Sequence, residues 1–246
     1  MNDQSSASRG RCDSTAWVGV DPSQDYTRPP PLSRPRIVRA ALSLVDEKGL
    51  PALTMRALAT ELEVSPMALY NHVRDKEELV DLMLDLVLGE VDTSATEGDW
   101  LTQLRALARS YHQALTAHHE LAQAYRGRVR IGPHGLLVIE RAIGLLLEGG
   151  FSPPEASDAF FALFTYTVGF EQMGYIVRLR GGATHEGGEA GYYPLLPPEQ
   201  IPAVTTVGPH LDGVHRPGRF DYGLDLLLAG LQAKLAQSGK AAAAPS

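Results

Sequence analysis

A single cysteine, Cys12, stands in the 246-residue chain, so neither an internal disulfide nor a cysteine-rich metal site can form, a usage that fits a reducing compartment. No run of about 18 apolar residues occurs, and the N-terminal MNDQSSASRGRCDSTAWVG has no hydrophobic segment behind its charges. That argues against membrane insertion and secretion, and a cytoplasmic location is expected. A Gly-rich phosphate loop, GxSxG and HExxH are all missing, which argues against an enzyme and leaves no cofactor to expect. There is no convincing strand pattern and no internal repeat, so the fold class is all-α. A positive net charge is lacking as well. At −7 overall, the chain has the wrong sign for a polyanion binder until the charge is divided along its length. Residues 28–76 carry eight Lys and Arg against five Asp and Glu, while residues 77–246 carry twelve against twenty. An acidic body with a basic end presents that end to a polyanion.

With 44% hydrophobic residues the chain has enough apolar side chains for a proper core. Residues 1–33, rich in Ser, Asp and Pro, read as a disordered basic arm. Helical stripes follow. Ile37, Ala40, Ala41, Leu44 and Val45 share one face of a first helix that stops at Gly49. Thr54 caps a second helix with Leu58, Ala59 and Leu62 inward, and a fourth runs from Asp75 to about Val91. Residues 34–92 are thus one expected domain. Beyond the polar break at 92–99, a body domain at 93–240 holds helices from Trp100 to His118, Gly135 to Glu148, Pro153 toward Arg180 and Phe220 to Gln237. The Pro153 helix is apolar nearly all round, and residues 181–219, rich in Gly and Pro, read as a mobile loop.

The stretch SPMALYNHVRDKEEL packs two helix starts into Ser65 to Leu79. Ser65 caps the first, with Pro66 at the position where a missing N–H costs nothing, and Asp75 with Glu78 forms a capping box for the next. The helix between, Pro66 to His72, is marginal alone and needs Leu69 and Val73 as inward anchors. Met67, Ala68, Tyr70, Asn71 and His72 then face outward. Two helices joined by Glu63, Val64 and Ser65, the second short and exposed, have the layout of a helix-turn-helix.

The run LTMRALATELEVSPMALYNHVRDKEELVDLM resembles the N-terminal domain of the tetracycline repressor (TetR) family, with signature T-x-x-x-[LI]-A, then V, then L-Y-x-H-[FV]-x-x-K-x-x-L. Those positions are Thr54, Leu58, Ala59, Val64, Leu69, Tyr70, His72, Val73, Lys76 and Leu79 here. GDWLTQLRALARSYHQALTAHHELAQ and RFDYGLDLLLAGLQAKLAQSG look like that family's first effector-domain helix and last helix. The resemblance implies a homodimeric repressor that binds a palindromic double-stranded DNA operator and is released by a small molecule. Tyr70 and Lys76 are expected on phosphates, Arg56, Met67, Ala68, Asn71 and His72 on base edges, and the helix starts Thr54–Met55 and Ser65–Pro66 complete the DNA-facing set. Tetracycline-binding members carry Gln-Pro-Thr before the Leu-Tyr and Trp before the His. This chain has Pro66, Met67 and Ala68 there, and Asn71, so its operator is expected to differ.

An apolar or aromatic effector is expected among Trp100, Tyr111, Tyr125, Phe160, Phe164, Tyr166 and Phe170. Tyr125 stands where those members use a histidine for drug-chelated magnesium, and no metal site is expected from His112, His118 and His119. The resemblance also places the Pro153 and Phe220 helices in a four-helix bundle between subunits, with Leu224, Leu227, Leu228 and Leu231 at its contact. Arg28, Arg34, Arg36 and Arg39 are expected to add DNA affinity. The competing readings are an all-helical ligand carrier or enzyme without DNA binding, and a helical adaptor whose short helix binds protein.

Overall fold

The computed structural model describes residues 31–122, 124, 131–179, 196–210 and 216–242, all helix and connecting turn without a strand among them. Arg28 and the rest of the arm to residue 30, Tyr125, and residues 181–195 and 211–215 lie outside the described residues. From Ser33 on, the chain forms one compact body.

Four helices build the head: α1 Arg34–Lys48, α2 Met55–Glu61, α3 Pro66–Tyr70 and α4 Lys76–Leu88. Their starts are fixed locally. Thr54 Oγ1 accepts the Ala57 N–H at 3.0 Å, Ser65 Oγ that of Ala68 at 3.3 Å, and Asp75 Oδ1 that of Glu78 at 2.7 Å. Helix α1 buries Ile37, Ala41, Leu44 and Val45 against α2 and α4, each large side chain contributing roughly 1.5–3 kcal/mol on burial. Gly49 closes it at φ 80°, ψ 158°, a positive φ but not the left-handed helical turn expected. Helix α4 ends at Leu88 rather than near Val91, because the Glu90 and Val91 N–H groups bond only three residues back, to the Val87 and Leu88 carbonyls.

The body comprises α5 Trp100–Ala117, α6 His119–Ala122, α7 Pro133–Glu148, α8 Pro153–Leu179, α9 Pro202–Val207 and α10 Arg219–Ala242. Helices α5, α7 and α8 pack on one another, and α10 lies against α8 and α5. Helix α4 touches α5, α6 and α7 as well as α1, so it belongs to head and body at once. Three boundaries differ from the sequence reading. Pro133 starts α7 two residues early, α10 runs on to Ala242, and residues 196–210 form short helical turns rather than plain loop, seeded by Pro198 and Pro202 in first-turn positions. On α7 the buried face is Val138, Ala142, Leu145 and Leu146, and Leu136 is 56% exposed.

Candidate functional site

The turn between α2 and α3 is set by one residue. Glu63 has φ 56°, the only positive φ outside glycine among the described residues. It occupies the left-handed position usually given to glycine, and the Val64 N–H returns to the Ala59 carbonyl at 2.9 Å to close α2. The chain thereby swings α3 across the head with Leu69 wholly buried and Val73 2% exposed. Five residues of helix result rather than seven, because Asn71 and His72 turn toward the α4 cap.

What α3 shows outward is Met67, 72% exposed, Tyr70, 48% exposed, and Asn71, while Ala68 and His72 are half-buried. Thr54, Ser65 and Pro66 are exposed at the two helix starts, and Met55 is half-covered. The side chains of Arg56, Tyr70, Asn71 and Lys76 have no ion pair or hydrogen bond among the described residues. Two other cations of the head, Arg34 and Arg74, are committed. Glu78 binds the Arg34 guanidinium, the Arg74 N–H at 2.7 Å and Arg74 Nε at 3.2 Å, tying α1, the α3–α4 turn and α4 together. Its capping-box reach therefore ends on Arg74 instead of the Asp75 N–H. Arg34 is in consequence a structural ion as well as a member of the basic arm.

The Arg74 N–H, with the Arg74 and Arg34 charges adding to it against burial, holds the Glu78 carboxyl below the ordinary glutamate value of 4.5. A lowered folded pKa gives stability that is full above 4.5 and is lost as pH falls below it. Glu78→Gln is expected to lower the melting temperature at neutral pH and to flatten the acid limb below that point. Melting curves in which the variant keeps the wild-type acid slope would rule the tie out as a source of stability.

Where head meets body, His118 presents Nδ1 to Asp46 of α1 at 2.9 Å and Nε2 to Glu90 at 3.2 Å. His112 instead pairs with buried Glu171 at 2.7 Å, and His119 lies 3.7 Å from Glu120. The three histidines turn to separate carboxylates and do not converge.

Between α4, α5, α7 and α8 lies a partly open cavity of about 270 Å³. Tyr111, Phe164 and Phe160 form a stacked row along its wall, with ring centroids 6.3 Å apart for the first pair and 5.9 Å for the second. Leu84, Leu88, Leu107, Val138, Ile139 and Leu163 supply much of the rest, and the polar side chains are those of Asp85, Tyr111 and Thr167. Thr167 spends its hydroxyl on the Leu163 carbonyl at 3.0 Å. Three aromatics expected at this wall are elsewhere. Trp100 packs edge-on to Phe151 and fills the space over Gly149, sealing the end of the bundle. Tyr166 donates to the Phe220 carbonyl at 2.8 Å and lies over Gly223, pinning α8 to α10, and burial with the Asp221 charge nearby raises its phenol pKa. Phe170 lines a separate, more polar recess of about 440 Å³ beside Arg109, His112, Phe220 and Asp221. The aliphatic wall was hidden in the sequence, since such residues at helical spacing read as ordinary core.

On α10 the expected contact residues divide. Leu224 and Leu228 are wholly buried within the protomer, and Leu227 and Leu231 half-buried, because this face packs on α8 and α5. Leu224 and Leu228 are therefore not the outer surface. That surface is a stripe of Tyr222, Leu226, Ala229, Gly230 and Ala233, and α8 leaves a similar one of Phe161, Ala162, Thr165, Gly169 and Met173.

Residues 37–83 match the family described as bacterial regulatory proteins, tetR family, and residues 94–235 match the tetracyclin repressor-like C-terminal domain. The chain belongs to the TetR family. Among its relatives, the HTH-type transcriptional repressor DrrR1 of Streptomyces coeruleorubidus is 31% identical over 222 residues, covering 85% of this chain and 80% of that protein. The class A tetracycline repressor from transposon 1721 of Escherichia coli is 33% identical over 203 residues, 79% of this chain and 88% of its own. Among solved structures, ActR of Streptomyces coelicolor in complex with actinorhodin aligns with a TM-score of 0.72 at 33% identity, covering 83% of this chain and 99% of that one. As a TetR-family protein the chain is a ligand-responsive DNA-binding repressor and not an enzyme. No helix among the described residues of this TetR-family repressor is long and apolar enough to cross a membrane.

Proposed function

We propose that this cytoplasmic repressor works as a homodimer, setting the α3 helices of its two subunits into successive major grooves of a palindromic operator. The observation that carries the reading is the face of α3, which rests on buried Leu69 and Val73 and offers Met67, Tyr70 and Asn71 outward. Arg56, Asn71 and His72 with Met67 and Ala68 read base edges, and Tyr70 and Lys76 hold phosphates from the helix exit. Thr54, Met55, Ser65 and Pro66 bring the two helix starts close to the backbone. Arg56 and Lys76, unpaired among the described residues, suit this role better than Arg34 and Arg74, which Glu78 already engages.

Lys76→Ala tests it. Affinity should fall on all duplexes alike, with the salt slope reduced by about one unit, as for loss of one phosphate contact. Salt titration giving equal slopes for wild type and variant would remove Lys76 from the phosphate set.

The effector in this proposal is an apolar or aromatic molecule seated along Tyr111, Phe160 and Phe164, with no metal required. The wall of that cavity is nearly all hydrocarbon, as favours an apolar ligand. The complex of ActR with actinorhodin supports an organic effector. Release from operator that needs added magnesium and is abolished by a chelator would contradict it.

A further inference from the structure

We propose that Asp85 is the residue through which an occupied cavity releases the reading head: its carboxylate clasps α4 to the first turn of α7, and an effector acts by taking that carboxylate over. The inference rests on the cavity being the effector site. Asp85 is the carboxylate of the cavity wall, with a side chain only 13% exposed. Oδ1 accepts the Gly135 N–H at 3.0 Å, and Oδ2 lies 2.9 Å from His134 Nδ1. The approach depends on residue 132 being glycine, since a Cβ there would fall 2.2 Å from Asp85 Cγ. One turn on, Gly89 of α4 receives the His134 ring, with a Cβ at that position only 3.1 Å from Cδ2. The two helices are thus interlocked at the cavity wall.

The first N–H groups of a helix have no partner within it, and a carboxylate is favoured there by the helix dipole. In an otherwise hydrocarbon wall, a carboxylate stripped of those donors is strongly unfavourable. Asp85 therefore stays on α7 unless a ligand supplies replacement donors. That defines the effector chemically as an apolar ring system carrying a hydroxyl or amine at the end that meets Asp85. A ligand without a donor there fills the cavity and leaves the clasp closed. Asp85 sits on the same helix as Lys76 and Glu78, so opening the clasp frees the helix that orients α3. The effector binds the open form better by the interactions it makes with Asp85, which is the differential affinity that a switch requires.

Two variants open the clasp from opposite sides: Asp85→Ala removes the carboxylate, and Gly132→Ala drives it off by steric contact. The DNA probe is a duplex selected by the wild-type dimer from a random pool. Both variants should bind it roughly tenfold or more weaker without any ligand, in the ordinary range of allosteric coupling, and the Gly135 amide should exchange faster while amides of α10, which does not line the cavity, keep wild-type protection. Wild-type protein should prefer 1-naphthol over naphthalene, a pair differing in one donor, and Asp85→Ala should lose that preference. Wild-type duplex affinity in a folded Gly132→Ala, or no preference for 1-naphthol, or a preference that survives Asp85→Ala, overturns the proposal. If the wild-type protein selects no duplex at all, the operator reading fails instead, and the naphthol comparison still judges the clasp.

Discussion

Leu226→Glu is expected to give a folded monomer with little operator affinity. Leu226 is 59% exposed within the protomer, near the middle of the outer α10 stripe, and Gly230 beside it has open space where a Cβ would lie. Small residues on both stripes let helix backbones approach closely, and a second copy is the partner that the dimer proposal places there. A glutamate in the centre of such a contact must be desolvated without a partner, which disfavours association while leaving the protomer core intact. Turning a two-site contact into a one-site contact should lower operator affinity on the order of a hundred- to ten-thousand-fold. Leu228→Glu is the contrasting variant, since Leu228 is wholly buried inside the protomer and should unfold it. Sedimentation showing Leu226→Glu still dimeric at micromolar concentration would move the interface elsewhere.

The second large effect is expected at Arg56. It lies in the first turn of α2, exposed, with its guanidinium unpaired among the described residues, whereas its neighbours in the head are tied down by Glu78. A bidentate contact to a guanine edge should be worth roughly 1–3 kcal/mol, or about five- to 150-fold in affinity. Arg56→Ala should therefore weaken binding to the preferred duplex and relax selectivity at one base pair of each half-site. Lys76→Ala changes affinity without changing that preference. Site selection by the Arg56 variant returning the wild-type sequence unchanged would assign Arg56 to the backbone instead.

The difference between Leu226 and Leu228 marks the limit of what periodicity tells. Both faces of α10 are apolar, and the 3.6-residue repeat separates them without saying which meets α8 and α5 in the same chain. The cavity aromatics divided for the same reason. Trp100, Tyr166 and Phe170 are spent on Gly149, the Phe220 carbonyl and a second recess, contacts that depend on residues some 50 positions away in sequence. In the sequence nothing near Asp85 points to Gly132, some 50 residues on.

By itself the sequence determined the head. Thr54, Ser65 and Asp75 cap helices through bonds to the N–H three residues on, and Leu58, Ala59 and Leu69 turn inward by spacing within two short helices. Local hydrogen bonds and local periodicity suffice when an element's partners are its sequence neighbours. Only the tertiary structure decided the left-handed Glu63 that swings α3 across the head, the hydrocarbon cavity, the outer face of α10 and the clasp at Asp85. Each depends on which helix packs against which, and packing selects among equally apolar faces by shape and close approach, which the order of residues along one helix does not carry.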